Sequence, residues 1–168
     1  MQQATIQKLN QLNQDLYRNN AQQFSDTRAT FWPGWQQLLP HFKTMTANPF
    51  RVLDIGCGNG RFANFLQAQL PQTELAYTGV DSSAELLEIA RAQVNDSKAQ
   101  FVQSDIIDIL RHDASLLPDQ TFDLVVAFGV LHHIPSFELR STFFHVLESK
   151  TNQTGVVALT SWQFLNSL

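Results

Sequence analysis

Residues 52–62 have the sequence VLDIGCGNGRF and specify the fold. The apolar run at Val52, Leu53 and Ile55 predicts a short strand that is buried on both faces. Glycines at three alternate positions then allow a tight turn whose backbone N–H groups can approach a ligand. Residues 61–70 place their apolar side chains on one stripe of a helix. Strand, glycine loop and helix together predict the first unit of a nucleotide-binding α/β fold.

An acidic residue at the end of the next strand strengthens this interpretation. Residues 75–80 (LAYTGV) predict a second strand, which leads directly into Asp81. Folds of this kind place a carboxylate about 20 residues after the glycine loop, where it accepts hydrogen bonds from ribose hydroxyls. The loop spacing is GxGxG and not the dinucleotide pattern GxGxxG, and alone it would also suit a plain strand-to-helix turn.

The remaining pattern predicts one domain over residues 1–168, with a helical cap over 1–48 and a sheet-containing core over 49–168. Further strands are predicted over 99–103, 122–128 and 155–160, and helices over 82–94, 106–110 and 136–148. Ser82 and Glu85 suggest a capping box at the start of the first of these helices. Another helix is predicted over 35–42, broken at Pro40. Apolar residues at helical spacing predict an amphipathic N-terminal helix: Ile6, Leu9, Leu12, Leu16 and Tyr17. We expect this helix to pack on the fold or to cover the ligand cleft.

Composition narrows the classes of function. The net charge of −4 and only 11 Lys and Arg residues argue against a strong intrinsic affinity for nucleic acid. A single cysteine forms no internal disulfide and is typical of a reducing compartment. No signal peptide is recognisable, and the apolar run 124–131 is too short to span a bilayer. We therefore expect a cytoplasmic protein that does not use a membrane.

Four motifs, in this order, resemble those of class I S-adenosylmethionine-dependent methyltransferases. They are DIGCGNG (54–60), GVDSS (79–83), QSD (103–105) and FDLVVAFGVLHHI (122–134). The resemblance implies an α/β, Rossmann-like, doubly wound and mostly parallel sheet of order 3-2-1-4-5, with helices on both faces. It also implies S-adenosylmethionine as the methyl donor.

The resemblance implies where the methionine end of the donor binds. Gly56, Cys57 and Gly58 would contact it, and Asp54 would orient the loop. Arg28 is a candidate clamp for its carboxylate, because a guanidinium offers a bidentate fork. Arg28 could equally cap a surface aromatic cluster, and Cys57 suits a small residue in a tight turn better than a nucleophile.

The rest of the donor has its own expected partners. Asp81 with Ser82 would hold the ribose, and Asp105 with Ile106 would hold the adenine, although both aspartates could instead be helix caps. The strand end that faces the transferred methyl group supplies further candidates, namely Ala127, Phe128 and His132. Adjacent histidines without further ligands are weak zinc evidence, so we predict no metal site.

No catalytic base is assigned. A carboxylate acceptor is already anionic at neutral pH, so in-line positioning could be the whole mechanism. A cation would help to hold such an acceptor, and Arg61 and Arg140 are the candidates.

The substrate hypothesis comes from residues 17–39. They resemble the tRNA wobble-uridine carboxymethyl methyltransferases at three pairs of residues, Phe24-Ser25, Thr27-Arg28 and Trp32-Pro33. The resemblance implies tRNA as partner and esterification of a carboxymethyl group. Two alternatives stay open: a small-molecule O- or N-methyltransferase, and a cofactor-binding partner subunit without activity of its own.

The fifth predicted strand would lie at an exposed edge of the sheet. Relatives of this class usually add a C-terminal β-hairpin, which this sequence lacks. We therefore expect either a truncation of a longer protein or a fifth-strand edge that a protein partner or a second copy covers. The apolar tail 161–168 would lie beside that edge.

Overall fold

Five strands form one parallel sheet in the computed structural model, which describes residues 1–42, 47–111 and 114–162. The strand order is β3-β2-β1-β4-β5, and every neighbouring pair is parallel. This confirms the predicted fold class and strand order. The strands are β1 (Phe50–Ile55), β2 (Leu75–Asp81), β3 (Gln100–Gln103), β4 (Phe122–Ala127) and β5 (Thr151–Leu159).

Helices connect the strands and cover the sheet. Short 3₁₀ segments span Pro33–Leu38, Ala114–Leu116 and Leu131–His133. The α-helices of the described residues are α1 (Gln3–Asp26), α2 (Leu39–Phe42), α3 (Arg61–Gln69), α4 (Ala84–Gln93), α5 (Ile106–Arg111) and α6 (Phe137–Lys150). None of these helices is both long and apolar enough to cross a membrane.

Both faces of the sheet carry an apolar core, because successive side chains of a strand point to opposite faces. In β1, Leu53 and Ile55 pack with α5 and α6, whereas Phe50 and Val52 pack on the other face with α3 and Trp35. These strand residues are at most 2% exposed. Burial on both faces explains why the strands appear in the sequence as apolar runs without alternation.

The N-terminal helix α1 covers the cleft, which is one of the two predicted placements, but its apolar stripe is not its buried side. Leu9, Leu12 and Leu16 are 39%, 58% and 55% exposed, and only Ile6 of the aliphatic set is buried. The reason is that α1 covers a polar cleft and not the apolar face of the sheet. Its inward side carries polar residues instead: Asn10, Asn13, Gln14 and Tyr17.

Several predicted boundaries shift. Ser83, not Ser82, caps α4, since its hydroxyl accepts a hydrogen bond from the Leu86 N–H at 3.2 Å. The helix predicted over 35–42 with a break at Pro40 is a 3₁₀ turn followed by α2. Pro40 lies in the first turn of α2, where a missing N–H is tolerated. β5 begins four residues earlier than predicted, at Thr151. Residues 163–168 of the predicted apolar tail lie outside the described residues.

Candidate functional site

The glycine loop after β1 is held tightly in place. Gly56, Gly58 and Gly60 all have positive φ, between 54° and 75°. A Cβ on Gly56 would lie 2.4 Å from the Val130 Cγ2 atom, so the loop passes directly against the segment after β4. The N–H groups of Gly56 and Cys57 both donate to the Val80 carbonyl, at 2.7 and 3.1 Å. The sequence predicted backbone contacts from Gly56 and Gly58 to a ligand, and in the structure the Gly56 N–H already has a partner in the protein.

Asp81 stands at the carboxyl end of β2 and joins the loop to α4. One carboxylate oxygen accepts from the Gly58 N–H at 2.9 Å, and the other accepts from the Ser83 N–H at 2.9 Å. Burial raises the pKa of the Asp81 carboxyl, and these backbone donors oppose the shift. Each oxygen has a second lone pair, so Asp81 can still accept hydrogen bonds from a diol.

Asp105 follows β3 and meets α1. Its Oδ1 atom accepts from the Ile107 N–H at 2.6 Å, which caps α5. Its Oδ2 atom accepts from the side-chain amides of Asn10, at 3.0 Å, and Gln14. The N-terminal helix therefore reaches over the sheet edge and supplies amide donors to this carboxylate.

A cleft with two connected lobes opens above the carboxyl ends of the strands, as expected for a doubly wound sheet. The smaller lobe, about 120 Å³, lies between α1, Asp81 and Asp105. The larger lobe, about 580 Å³, lies between Arg28, Arg61 and Trp35. Both lobes share one set of lining residues, namely Tyr17, Phe24, Gly56, Gly58, Phe128 and Gly129.

The larger lobe combines aromatic rings with two guanidinium groups. The Arg28 guanidinium lies 3.5 Å from the Phe24 ring centroid, and that of Arg61 lies 4.9 Å from the Trp35 ring centroid. Burial and the nearby charge of Arg28 lower the pKa of Arg61. Neither guanidinium forms an ion pair with a carboxylate among the described residues.

Asp54 lies beneath the loop and is 2% exposed. Tyr77 donates its hydroxyl hydrogen to Asp54 Oδ2 at 2.5 Å. Burial raises the pKa of Asp54 to about 7, despite the opposing effect of the Tyr77 hydrogen bond.

Cys57 is 8% exposed and packs toward β2. A Cβ on Gly79 would lie 2.8 Å from the Cys57 sulfur, so glycine makes the room for this side chain. Burial and the charge of Asp81 raise the pKa of the thiol well above its usual value. A buried thiol with a raised pKa is a poor nucleophile, which favours the structural interpretation of Cys57.

Both histidines after β4 reach the cleft. His132 lines the larger lobe, as predicted from its position, and His133 lines the smaller one. The His133 Nε2 atom and the Tyr17 hydroxyl are 2.9 Å apart and hydrogen-bonded. Burial, with a contribution from His132, lowers the pKa of His133 to about 4.

Comparison with known families connects this geometry to a function. Residues 52–150 match a family model described as a methyltransferase domain. The matched residues include the glycine loop, Asp81, Asp105 and the two histidines. The chain belongs to the methyltransferase domain family. Its cofactor is S-adenosylmethionine, the methyl donor of that family, and the family expected from the motifs is confirmed.

Two of the curated relatives of this methyltransferase are named as tRNA methyltransferases. It is 30% identical over 149 residues to tRNA (carboxymethyluridine(34)-5-O)-methyltransferase of Saccharomyces cerevisiae, covering 88% of this chain and 46% of the yeast protein. It is 29% identical over 142 residues to probable tRNA methyltransferase 9B of Bos taurus, covering 83% of this chain and 26% of the bovine protein. The chain thus spans less than half the length of these two relatives.

Solved structures support the fold of the methyltransferase. The plantazolicin methyltransferase BpumL, in complex with a pentazolic desmethylPZN analog and SAH, superposes with a TM-score of 0.61 at 22% sequence identity. The match covers 94% of this chain and 61% of BpumL. At this level of identity the likeness concerns the fold alone.

The cleft gathers nearly all the residues that the sequence singled out. Ser82, Asp105 and Ile106 line the smaller lobe with Asp81, and Arg28, Asp54, Cys57 and His132 line the larger one. Ala127 differs, because it is 1% exposed within β4 and lines neither lobe. Arg140 also lies away from the cleft lining, and its guanidinium donates to the Ile134 carbonyl at 2.9 Å.

Sequence reasoning missed a group of lining residues on and after α1, and His133. The sequence predicted that α1 packs on the fold or covers the ligand cleft, but it did not indicate which polar residues of the helix face the cleft. Tyr17 was counted in the apolar set of this helix, and both Tyr17 and Phe24 lie in the segment that resembles the tRNA-modifying enzymes, but neither was assigned to the cofactor site. The missed residues are Asn10, Asn13, Gln14, Tyr17, Phe24, Asn59 and His133.

The chemistry of the cleft fits S-adenosylmethionine. Asp81 and Asp105 place two hydrogen-bond acceptors in the smaller lobe, where ribose hydroxyls and an adenine amine need acceptors. The larger lobe places a guanidinium within reach of an amino-acid carboxylate. The two lobes meet at the glycine loop, so one extended molecule could occupy both.

Proposed function

We propose that this methyltransferase methylates a carboxyl group on a modified uridine of tRNA. The observation that carries the proposal is the composition of the larger lobe, in which aromatic rings stand beside two guanidinium groups without carboxylate partners among the described residues. A uridine ring can stack on Trp32 or Phe128, and a carboxylate can pair with a guanidinium. The name of the yeast relative, which specifies carboxymethyluridine, supports the same acceptor.

We also propose which residues contact each part of the cofactor. Bound S-adenosylmethionine supplies a methyl group on a positively charged sulfur. Asp81 and Ser82 would hold its ribose, and Asp105 and Ile106 its adenine. Its methionine end would lie along the loop between the two lobes, in contact with these residues: Arg28, Asp54, Gly56, Cys57 and Gly58.

Positioning is the main task of the protein in such a reaction. A carboxylate is ionised at neutral pH, so no general base is needed to create the nucleophile. Phe128 and His132 line the larger lobe next to the glycine loop, where they would orient the acceptor and exclude water. The lowered pKa of His132, caused by burial, keeps its ring neutral there.

Binding of tRNA would need help from outside the described residues. The net charge of −4 gives this chain little attraction for phosphate. We propose that a basic protein partner supplies phosphate contacts and pairs with the exposed side of β5, where Val157 is 40% exposed. A cytoplasmic location would suit both the tRNA substrate and the single reduced cysteine.

The net negative charge of the chain favours a second candidate function, methylation of a small molecule at oxygen or nitrogen. In that case the aromatic segment around Trp32 would cover an apolar acceptor. A third candidate is a partner subunit that binds the cofactor and transfers nothing. These three functions differ in which pool of molecules receives a methyl group.

The test uses methyl-labelled S-adenosylmethionine and the full natural protein. It is incubated with total tRNA from a strain that lacks the gene and, separately, with a metabolite extract of that strain. We expect label in tRNA and a carboxymethyl ester among its nucleosides by mass spectrometry. Label only in metabolites would favour the second function, and cofactor binding without transfer to either pool would favour the third.

A further inference from the structure

The larger lobe carries an excess of positive charge. Arg28 and Arg61 both line it, and neither pairs with a carboxylate in the described parts of the chain. Asp54 is the one carboxyl among the described residues that line this lobe. It is buried beneath the loop with its pKa raised to about 7, so it offsets the two cations only in part. S-adenosylmethionine has two positive groups and one carboxylate, so its binding would add a further positive charge.

Arg61 itself occupies a position that disfavours a cation. It is the first residue of α3, and the amino-terminal end of a helix carries a partial positive charge. Its guanidinium is anchored by a hydrogen bond to the Thr30 carbonyl at 2.8 Å. A cation at the positive end of a helix is unfavourable, so its presence inside a cleft suggests that its charge has a function.

The neighbouring Trp35 has a buried hydrogen-bond donor without an acceptor among the described residues. It is 4% exposed, and its indole N–H is buried without a hydrogen-bond partner in the described part of the protein. The same ring contacts the Arg61 guanidinium. A buried donor without an acceptor is costly. The Trp35 ring lines the larger lobe, so a small shift of the ring on binding would let a ligand oxygen accept from this N–H.

We propose that Arg61 selects the charge of the acceptor, so that the larger lobe takes a carboxylate on a flat ring and rejects the neutral or cationic equivalent. The inference rests on the proposed methyl transfer and gives its acceptor site a specificity-determining residue. The net charge of +1 on S-adenosylmethionine and the two guanidiniums leave an anion as the acceptor with the best electrostatic match. The ring could belong to a tRNA nucleoside or to a free aromatic acid, and the carboxylate chemistry is the same for both.

The test compares two probes that differ only in charge. The probes are the nucleoside 5-carboxymethyluridine and its uncharged amide, 5-carbamoylmethyluridine, each titrated with S-adenosylhomocysteine present. Binding is followed by NMR of the indole N–H signals, because all three tryptophans of the chain line the larger lobe. We expect the acid to bind at least about tenfold more tightly than the amide, as for one charge-assisted hydrogen bond.

Variants assign this preference to Arg61. Arg61→Gln should bind both probes equally weakly, and Arg61→Lys should keep part of the preference for the acid. Arg51→Gln, which removes an exposed arginine outside the cleft, should keep all of it. Titration of S-adenosylhomocysteine into each variant verifies that the fold and the cofactor site are intact. Equal affinity of the two probes for the wild-type protein, no binding of the acid, or an unchanged preference in Arg61→Gln would overturn the inference.

The outcome separates this inference from the tRNA function. Binding of the acid through Arg61, with no methyl transfer to tRNA, would leave the inference standing and remove tRNA as the substrate. Phenylacetate, used as a third probe, would then show whether a free aromatic acid suffices. Methylation of tRNA at full rate by Arg61→Gln would overturn the inference about Arg61 and leave tRNA as the substrate.

Discussion

The Tyr77 hydroxyl donates a hydrogen bond to the Asp54 carboxyl directly beneath the glycine loop. Burial raises the pKa of Asp54 to about 7 in the folded protein, whereas an exposed aspartate titrates near 3.9. Between these values the folded state keeps a proton that the unfolded state has lost. The contribution of Asp54 to stability is therefore complete below about pH 4 and falls as the pH rises toward 7, by up to about 1.4 kcal/mol per pH unit.

This linkage predicts the behaviour of Asp54→Asn, which cannot titrate. The free energy of unfolding of Asp54→Asn, minus that of the wild type, should increase between pH 4.5 and 7 and then level off. Urea denaturation at several pH values measures it, and the subtraction removes the titration of other groups such as His133. Asp119→Asn, at an exposed site, is the control. A difference that stays constant across this range would show that Asp54 is ionised throughout.

The hydrogen bond between Tyr17 and His133 is expected to hold α1 over the cleft. Tyr17→Phe removes the hydroxyl that bonds His133 and leaves the ring contact with Phe24. We expect a loss of about 1 kcal/mol of stability, typical of one hydrogen bond. Faster amide hydrogen exchange should be confined to α1. The control is Gln11→Ala, which removes only an exposed bond to Asp15 within the helix; equal exchange in the two variants would mean that Tyr17 does not fasten α1.

The close approach of Gly56 to Val130 predicts a severe effect of a single methyl group. In Gly56→Ala the new Cβ would lie 2.4 Å from the Val130 side chain, on a backbone with φ of 75°. Positive φ alone costs about 1–2 kcal/mol, and the overlap adds to it. Thermal and urea denaturation should show a loss of about 2 kcal/mol or more.

Two companion variants separate these causes. Combining Gly56→Ala with Val130→Ala relieves the overlap and should recover part of the stability. The loss that remains is the cost of the positive φ at residue 56. Gly34→Ala places its Cβ in open space and should change stability by less than about 0.5 kcal/mol. Equal stability of Gly56→Ala and Gly34→Ala would contradict the tight packing of the loop.

The parts of the fold that the sequence predicted correctly depend on local pattern. β1, the glycine loop and α3 follow from residues 52–70 because apolar spacing and glycine positions are local properties. Asp81 was found in the same way, from its distance along the chain. The strand order came from the resemblance, and the structure confirms it.

The errors have a common physical origin. Leu9, Leu12 and Leu16 were grouped as the apolar stripe of α1, and such a stripe is usually the buried side of a helix. Here α1 covers a polar cleft, so Asn10 and Gln14 point inward to Asp105. Contacts between residues more than 90 positions apart cannot be derived from spacing, and the link between Tyr17 and His133 was invisible for the same reason.

Calorimetric titration of S-adenosylhomocysteine into the wild-type protein and Asp81→Ala tests whether the carboxylate after β2 holds the ribose of the cofactor. Loss of two charge-assisted hydrogen bonds should weaken binding by at least about 100-fold, whereas Asp119→Ala should bind like the wild type. Thermal melts of both variants verify that they are folded. Undiminished affinity in folded Asp81→Ala would contradict the proposed placement of the cofactor in this cleft.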